Sequence, residues 1–248
     1  MNAALAALAA HPWYDLALLA FAVVFMPAMS VIAGRQLAKS GGDSLIPRYW
    51  FTLSRGWLAV AAVVAVWWFA QRPFVQLGLD IPVGIRGQAG FLVTAIAAVV
   101  AGWQIRRLRT LSDEDVDKAL ARIGYLKIVP RNRAELSVFL LVALTAGVWE
   151  ELVYRGFLLW LLMPIIGVPG AIAASAAVFG IGHAYQGIRG VIATALVGLV
   201  FALLYAWTAS LWWLMLAHAL IDVYGGVVTY TLHRMAAARH SPKAEALG

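Results

Sequence analysis

The sequence contains no cysteine and little charge, and both absences restrict what the protein can be. Without cysteine, thiol catalysis, disulfide bonds and cysteine-ligated metal sites are excluded. Only 12% of the 248 residues are charged, against about 25% in soluble domains, whereas 63% are hydrophobic. The mean hydropathy is +0.83. This composition indicates an all-α, polytopic membrane protein in the lipid bilayer, and the length suits one helical bundle rather than two domains.

Apolar runs of the length that a bilayer requires recur along the chain. A transmembrane helix needs about 20 apolar residues, and we predict about seven such spans, with six to eight as the range. They are 13–34, 51–70, 88–104, 136–162, 169–186, 190–208 and 211–232. The fourth run is long enough to tilt or to protrude from the membrane. Only Ala209 and Ser210 separate the last two runs, so a re-entrant turn is the alternative there.

We expect one membrane domain over residues 1–248, made of three parts. Residues 1–135 supply the N-terminal spans and a basic connection, residues 136–232 a polar core, and residues 233–248 a cytoplasmic tail. The first ten residues contain no Lys or Arg, so they lack the basic region of a secretory signal peptide. The end of the tail, from His240, is expected to be disordered.

Basic residues are distributed unevenly between the predicted connections. All but three of the 19 Lys and Arg residues fall in the first, third and fifth connections and in the tail, if Arg55 at the start of the second span is counted with them. The positive-inside rule then places the N-terminus outside and the C-terminus in the cytoplasm. The net charge of +7 therefore reflects topology, and no nucleic-acid partner is expected. Asp15, at the edge of the first span, is expected to reach water.

The connection over residues 105–135 has a helical pattern of its own. Ser112 is placed to cap a helix, and Asp115, three residues later, imitates a capping box. An imperfect apolar stripe is formed by Leu111, Val116, Leu120 and Ile123. We predict a helix that lies along the cytoplasmic surface of the membrane.

Apart from Asp15 and Arg55 near span ends, six ionisable side chains fall inside the predicted spans, where each charge costs about 2.5–3.5 kcal/mol. They are Glu150, Glu151, Arg155, His183, His218 and Asp222. Ionisable residues in such positions are rare and mark functional sites by default. Their chemical types suggest hydrolysis.

The first cluster contains two adjacent carboxylates with different surroundings. Glu151 and Arg155 are spaced i, i+4 with the acid on the N-terminal side, which favours an ion pair. Neighbouring helix positions point about 100° apart, so Glu150 faces elsewhere, without a local cation. An unpaired buried carboxylate is suited to act as a general base. A structural polar cluster between helices is the alternative.

The other two clusters supply histidines. His183 ends the stretch Phe179-Gly-Ile-Gly-His, near the cytoplasmic end of its span, whereas Glu150 falls near mid-span, so we expect a deep cavity that opens to the cytoplasm. A single histidine at a helix end is more often structural. His218 and Asp222, again i, i+4, suit an oriented histidine, two metal ligands or a proton relay. The chain has no HExxH, GxSxG or GxGD motif for other hydrolytic chemistry.

Three ordered motifs now resemble a known family. EExxxRG occurs at 150–156, FxxxH at 179–183 and HxxxD/N at 218–222. In this order they are similar to the CAAX protease and bacteriocin-processing (CPBP) family, also called Abi, which includes CAAX prenyl endopeptidases of the Rce1 type. The resemblance covers the C-terminal half, because the N-terminal spans match only in being hydrophobic.

The resemblance implies an intramembrane endopeptidase that hydrolyses a peptide bond near the terminus of a membrane-associated protein or peptide. It implies that Glu150 is the base that activates water and that His183 helps to position this water. His218 and Asp222 would stabilise the oxyanion. Prenyl-protein processing members often have Asn at the position of Asp222, and an ionised Asp cannot donate a hydrogen bond, which weakens the oxyanion role there.

Further roles follow from the same resemblance. The residues that would support the site geometry are Glu151, Arg155 and Phe179. No cofactor is required by this mechanism, and glutamate-activated water is favoured because no ligand pair has the spacing of a dedicated zinc site. A divalent metal such as zinc remains open as an alternative, held by Glu150, His183 and His218.

Two other functions remain open at the level of sequence. The polar clusters could join helices in a non-catalytic membrane scaffold or immunity-type protein of the same fold. They could also relay protons in a proton-coupled transporter, although inverted repeats, which are typical of transporters, are not evident. The sequence does not identify the substrate or indicate whether it is prenylated.

Overall fold

The structure, a computed structural model, describes residues 12–39, 43–82, 84–123 and 128–239, and every regular element in these ranges is helical. One helical run, Arg133–Ile181, contains a π-helical segment at Leu152–Leu158. The helices are α1 (Trp13–Ala20 and Met26–Lys39, joined by a π-helical turn at Phe21–Phe25), α2 (Ile46–Phe69), α3 (Ile85–Leu108), α4 (Asp113–Ile123), α5 (Arg133–Glu151), α6 (Leu159–Ile181), α7 (Gly187–Thr208) and α8 (Trp212–Arg239). The expectations for residues 1–10 and for the tail from His240 lie outside the described residues.

Six helices in the described part are long and apolar enough to cross a membrane. Many large hydrophobic side chains on their outer faces are exposed, as lipid-facing residues are. The most apolar stretch of α3 is the extreme case, since only 6% of it is buried. The chain is therefore an integral, multi-pass membrane protein built as a helical bundle, as its composition predicts.

The predicted fourth and fifth spans belong to one helical run, Arg133–Ile181, of 49 residues. A straight helix of this length would extend about 70 Å, far beyond a hydrocarbon core of roughly 30 Å. At Gly167 the backbone leaves the helical region, with φ 73° and ψ 166°, a conformation that glycine adopts readily. The chain then turns back on itself. The Ser175 hydroxyl, after the bend, donates to the carbonyl oxygen of Tyr154, before the bend, at 3.0 Å. This Gly167 hairpin reconciles seven predicted spans with six helices.

Short connections join the remaining spans. α7 ends at Thr208 and α8 begins at Trp212. Ala209 has a positive φ of 51°, and the amide of Leu211 donates to the carbonyl oxygen of Gly78 at 2.8 Å. The two helices are therefore separate spans joined by a tight turn.

Two of the basic connections lie at one end of the bundle. The Tyr49 hydroxyl donates to the carbonyl oxygen of Ile128 at 2.7 Å. Glu135, at the start of α5, accepts hydrogen bonds from the amide of Leu45 at 3.2 Å and from the Arg131 guanidinium at 3.0 Å. The connection before α2 is thereby attached to the connection before α5. Two segments far apart in the sequence therefore lie at the same end.

The predicted surface helix is present as α4, with its expected cap. The amide of Asp115 donates to the Ser112 hydroxyl at 3.2 Å, and that hydroxyl donates to the Asp115 carboxylate at 2.7 Å. The end of α8 holds α4 in place, since Arg239 pairs with Asp113 at 2.8 Å and with Asp117 at 3.2 Å. The assignment of this end to the cytoplasm remains a prediction, which a tag at residue 1 reached only from the cytoplasm would contradict.

The opposite end contains a buried ion pair that the sequence did not indicate. Asp15 is fully buried, so the expectation that it reaches water is wrong. Its two carboxylate oxygens accept hydrogen bonds from Arg72 at 2.7 and 2.8 Å, which raises the pKa of Arg72. The guanidinium also lies 5.1 Å from the ring of Trp67 and 4.6 Å from that of Trp160. The pair therefore joins α1, α2 and α6.

Loss of this pair should destabilise the bundle without touching the site. Arg72→Ala is expected to lower the free energy of unfolding by about 2–3 kcal/mol, because buried Asp15 loses two charge-assisted hydrogen bonds. Thermal unfolding in detergent micelles measures the change. Arg86→Ala is the matched control, since exposed Arg86 makes no ion pair among the described residues and contacts Trp207 through a 3.4 Å bond to its carbonyl oxygen and a 5.7 Å approach to its ring. Equal unfolding temperatures for the two variants would show that the pair adds nothing.

Candidate active site

The six ionisable residues of the predicted spans form one cluster in the structure. Helix α5 and the π-helical segment after it carry the first motif, the end of α6 and the turn after it carry the second, and α8 carries the third. Helices α5 and α8 approach closely at Gly147, where a Cβ atom would lie 2.5 Å from the carbonyl oxygen of Met215. This glycine therefore permits the close approach of the glutamates on α5 to the histidine on α8.

Glu151 and Arg155 form the buried centre of the cluster. Arg155 Nη1 donates to Glu151 Oε1 at 2.8 Å, and both side chains are almost completely buried. The ion pair predicted from their i, i+4 spacing is confirmed. The same Oε1 atom accepts a second hydrogen bond, from Nδ1 of His218 at 2.7 Å. Glu151 therefore connects the arginine of one motif to the histidine of another.

Arg155 makes further contacts with α6 and α7. Its Nη2 donates to the carbonyl oxygen of Gly198 at 3.2 Å, and its guanidinium lies 4.3 Å from the ring of Phe179. A Cβ atom at Gly198 would lie 2.9 Å from the Phe179 ring, so α7 needs glycine there. The carbonyl oxygen of Phe179 accepts a hydrogen bond from Nδ1 of His183 at 2.9 Å. Phe179 thus contacts both the arginine and the histidine.

Glu150 has a different environment from its neighbour. Its Oε2 atom lies 3.8 Å from Nε2 of His183 and 3.8 Å from Nε2 of His218, distances too long for direct hydrogen bonds. This oxygen is buried and makes no hydrogen bond to the described residues. The two glutamates therefore face opposite nitrogen atoms of His218, Glu151 at Nδ1 and Glu150 at Nε2.

The Gly167 hairpin explains how His183 reaches Glu150. From sequence, His183 was expected near the end of its span and Glu150 at mid-span. In the structure His183 follows the end of α6 directly, and the two residues lie at nearly equal sequence distances from Gly167, on opposite legs of the hairpin. The two side chains consequently face each other, with Oε2 of Glu150 3.8 Å from Nε2 of His183. The opening of the site towards the cytoplasm stays a prediction.

Asp222 lies at the edge of the cluster. Its Oδ2 atom is 3.7 Å from Nε2 of His218, and its side chain is 36% exposed, against 11% for Glu150. Nε2 of His218 therefore has two carboxylates within 4 Å. A doubly protonated imidazole ring would present a donor to each side, with Nδ1 directed to Glu151 and Nε2 directed towards the more accessible part of the cluster.

Arg55 is a residue of this region that sequence reasoning did not select. The count of basic residues placed it with the charges of the first connection, but it lies well inside α2, which begins at Ile46. Its guanidinium lies 5.9 Å from the ring of Trp149, the residue before Glu150. The adjacent Gly56 packs so tightly on this ring that a Cβ atom would overlap it. Only packing of α2 on α5 reveals this contact.

The arrangement of the donors bears on the metal alternative. Both histidines use Nδ1 in a hydrogen bond and present Nε2, as metal-binding histidines do. Among the residues that the structure describes, however, no group of three or more His, Asp or Glu side chains is placed so that it could hold a metal ion. Zinc held by Glu150, His183 and His218 therefore remains a prediction for experiment.

The close approach at Gly147 can be tested directly. Gly147→Ala is expected to lower the hydrolytic activity predicted from the sequence tenfold or more. It should also lower the free energy of unfolding by about 1–3 kcal/mol, because the methyl group must displace the backbone of α8. Gly225→Ala, on α8, is the matched control, since a Cβ atom there would meet nothing within 4 Å. Activity and thermal unfolding are measured on both variants. Unchanged activity in Gly147→Ala would show that helix spacing does not control the site.

Comparison with known families supports the class of protein that the fold and the cluster define. Residues 132–224 match the model of a family described as type II CAAX prenyl endopeptidase Rce1-like. The matched segment contains all three motifs, and the resemblance to CPBP proteases is confirmed over these residues. The name of the family describes a protease. No curated protein and no solved structure matches the chain.

Proposed function

We propose that the protein is an intramembrane endopeptidase that hydrolyses a peptide bond near the terminus of a membrane-associated protein or peptide. One observation carries the proposal. The buried Oε2 atom of Glu150, without a hydrogen bond to the described residues, faces Nε2 of both His183 and His218 at 3.8 Å. A carboxylate placed in this way suits a base better than a structural ion pair.

Glu150 and His183 together can orient a water molecule. Because Nδ1 of His183 donates to a carbonyl oxygen, Nε2 of the neutral ring is an acceptor. Glu150 and His183 then present two acceptors 3.8 Å apart, a separation that one water can bridge by donating a hydrogen to each. Its oxygen lone pair is left for attack on a carbonyl carbon, while Glu150 takes the proton.

His218 is the group best placed to stabilise the developing oxyanion. Its doubly protonated ring would donate Nδ1–H to Glu151 and keep Nε2–H for the substrate oxygen. Asp222, 3.7 Å from Nε2, would favour this protonated form by its charge rather than donate a hydrogen bond itself. A preorganised donor of this kind contributes about 3–4 kcal/mol to transition-state stabilisation.

Glu151 and Arg155 would act as positioning residues. Glu151 holds the ring of His218 through Nδ1, and Arg155 holds Glu151, Phe179 and the backbone of α7. Neither side chain is exposed, so neither can contact a substrate directly. Their contribution is a fixed distance between Glu150 and the two imidazole rings.

The decisive experiment compares protein termini in membranes from cells that contain the wild-type chain or Glu150→Gln. New termini found by mass spectrometry only with the wild type would establish proteolysis and identify the substrate. Identical termini, with the variant folded and equally abundant, would favour the scaffold alternative. A carrier would instead show transport with an altered pH dependence. Stoichiometric zinc in the purified protein, lost in His183→Ala, would favour metal-dependent hydrolysis.

A further inference from the structure

Arg55 is a cation of the bundle for which the proposed mechanism has no use. It lies on α2 beside the tight contact between Gly56 and Trp149. Its guanidinium is 5.9 Å from the ring of Trp149 and 6.0 Å from that of Phe51. Trp149 directly precedes Glu150, so the guanidinium lies next to the candidate base, on the side of α2.

Arg55 differs from Arg72, Arg131 and Arg155 in having no anion among the described residues. Arg72, Arg131 and Arg155 each pair with a carboxylate at 3.0 Å or less. Among the described residues Arg55 makes neither an ion pair nor a hydrogen bond, and its Nε atom is buried without a partner. A guanidinium inside a membrane span is costly unless an anion or water satisfies it.

Glu150 does not supply the missing partner. The charges of Arg55 and Glu150 attract each other, but the carboxylate of Glu150 is not within the 4.0 Å of an ion pair and is directed at the two histidines. A direct pair would also make the carboxylate a weaker base. The four N–H donors on the two Nη atoms of Arg55 are therefore available to an anion that comes from outside the chain.

We propose that Arg55 binds the free C-terminal carboxylate of the substrate and so determines which peptide bond reaches Glu150. This inference rests on the proposed function and adds how the protein selects the peptide bond that it cleaves. The planar guanidinium binds a carboxylate through two parallel hydrogen bonds, and the rings of Phe51 and Trp149 shield such a pair from water. A peptide end is the anion that an endopeptidase acting near a terminus brings with its own substrate.

Binding to an inactive protein tests the proposal without cleavage. The probe is a fluorescent peptide with S-farnesylcysteine followed by three apolar residues, prepared as the free acid and as the C-terminal amide. Fluorescence anisotropy measures its affinity for Glu150→Gln in lipid nanodiscs. The acid is expected to bind about tenfold to thirtyfold tighter than the amide, as for a desolvated charge pair.

A second substitution in the same background identifies the residue. Adding Arg55→Gln should remove the preference for the acid, and adding Arg55→Lys should retain part of it. Arg48→Gln, two turns earlier on α2, is the matched control for loss of a positive charge and should keep the full preference. Equal binding of acid and amide, or no binding of either, overturns the proposal, as does a preference that survives Arg55→Gln.

Cleavage by the wild type separates this proposal from the one on which it rests. If the wild type cleaves the acid peptide but the binding preference for the acid does not depend on Arg55, the protease function stands and Arg55 has no role in binding the carboxylate. A preference that depends on Arg55, without cleavage by the wild type, removes the protease function and leaves a carboxylate site. A lower KM for the acid than for the amide supports both proposals, if this difference is lost in Arg55→Gln while kcat changes little.

Discussion

Glu150→Gln is expected to reduce hydrolysis by about 10²–10⁴-fold, the contribution of a positioned general base, while the protein unfolds at the temperature of the wild type or above it. The amide cannot take a proton from water. It has nearly the volume of the carboxylate, and the oxygen that it replaces makes no hydrogen bond to the described residues. Removing an unpaired buried charge releases a desolvation cost, so stability should not fall.

The adjacent residue provides the control for this prediction. Glu151→Gln changes the same chemical group at the next position, but it breaks the pair with Arg155 and weakens the bond to His218. It should therefore lower both the activity and the unfolding temperature. Cleavage and unfolding in detergent are measured side by side for the two variants. Full cleavage by Glu150→Gln would remove Glu150 from the role of base.

Arg155→Met should have the largest effect on stability, about 3–5 kcal/mol, because it leaves the buried charge of Glu151 without its counter-ion. The substitution also removes the bond to the carbonyl oxygen of Gly198 and the contact with the ring of Phe179. Methionine keeps much of the apolar packing, so the loss reports mainly on charge. Unfolding by heat or denaturant in mixed micelles measures it, with Arg86→Met as the surface control.

A double variant separates charge from shape. Glu151→Gln combined with Arg155→Met removes both charges and keeps an oxygen that can accept from Nδ1 of His218. If the cost of Arg155→Met is the uncompensated carboxylate, the double variant should be more stable than Arg155→Met alone. It should remain poorly active, since nothing fixes the orientation of the introduced amide in the way that Arg155 fixes Glu151. Additive losses of stability would contradict this explanation.

The membrane class, the helical bundle and the grouping of the site residues could be read from the sequence. Apolar runs reveal spans because a bilayer requires long helices. Six charges inside those runs are conspicuous because each is costly there. The i, i+4 spacing of Glu151 and Arg155 predicted their ion pair, since that pair is local to one helical run.

Features that depend on contacts between distant segments were not predicted. Asp15 appeared to be an edge residue because its partner, Arg72, lies beyond a complete span. Arg55 appeared to be a topology charge because only the packing of α2 on Trp149 reveals its environment. The Gly167 hairpin appeared as two separate spans because the sequence does not show that the two legs pack against each other.

The residues of the site come from two parts of the chain that are brought together in different ways. Glu150 and His183 lie on the legs of the Gly167 hairpin, so a continuous piece of chain with one bend brings them together. His218 and Asp222 arrive on α8, after α7 has crossed the bundle. The proposed base and the histidine beside it are thus set by local chain geometry, whereas the proposed oxyanion side forms only when the last helix packs against α5. A chain without α8 would contain the proposed base without the histidine proposed to stabilise the oxyanion.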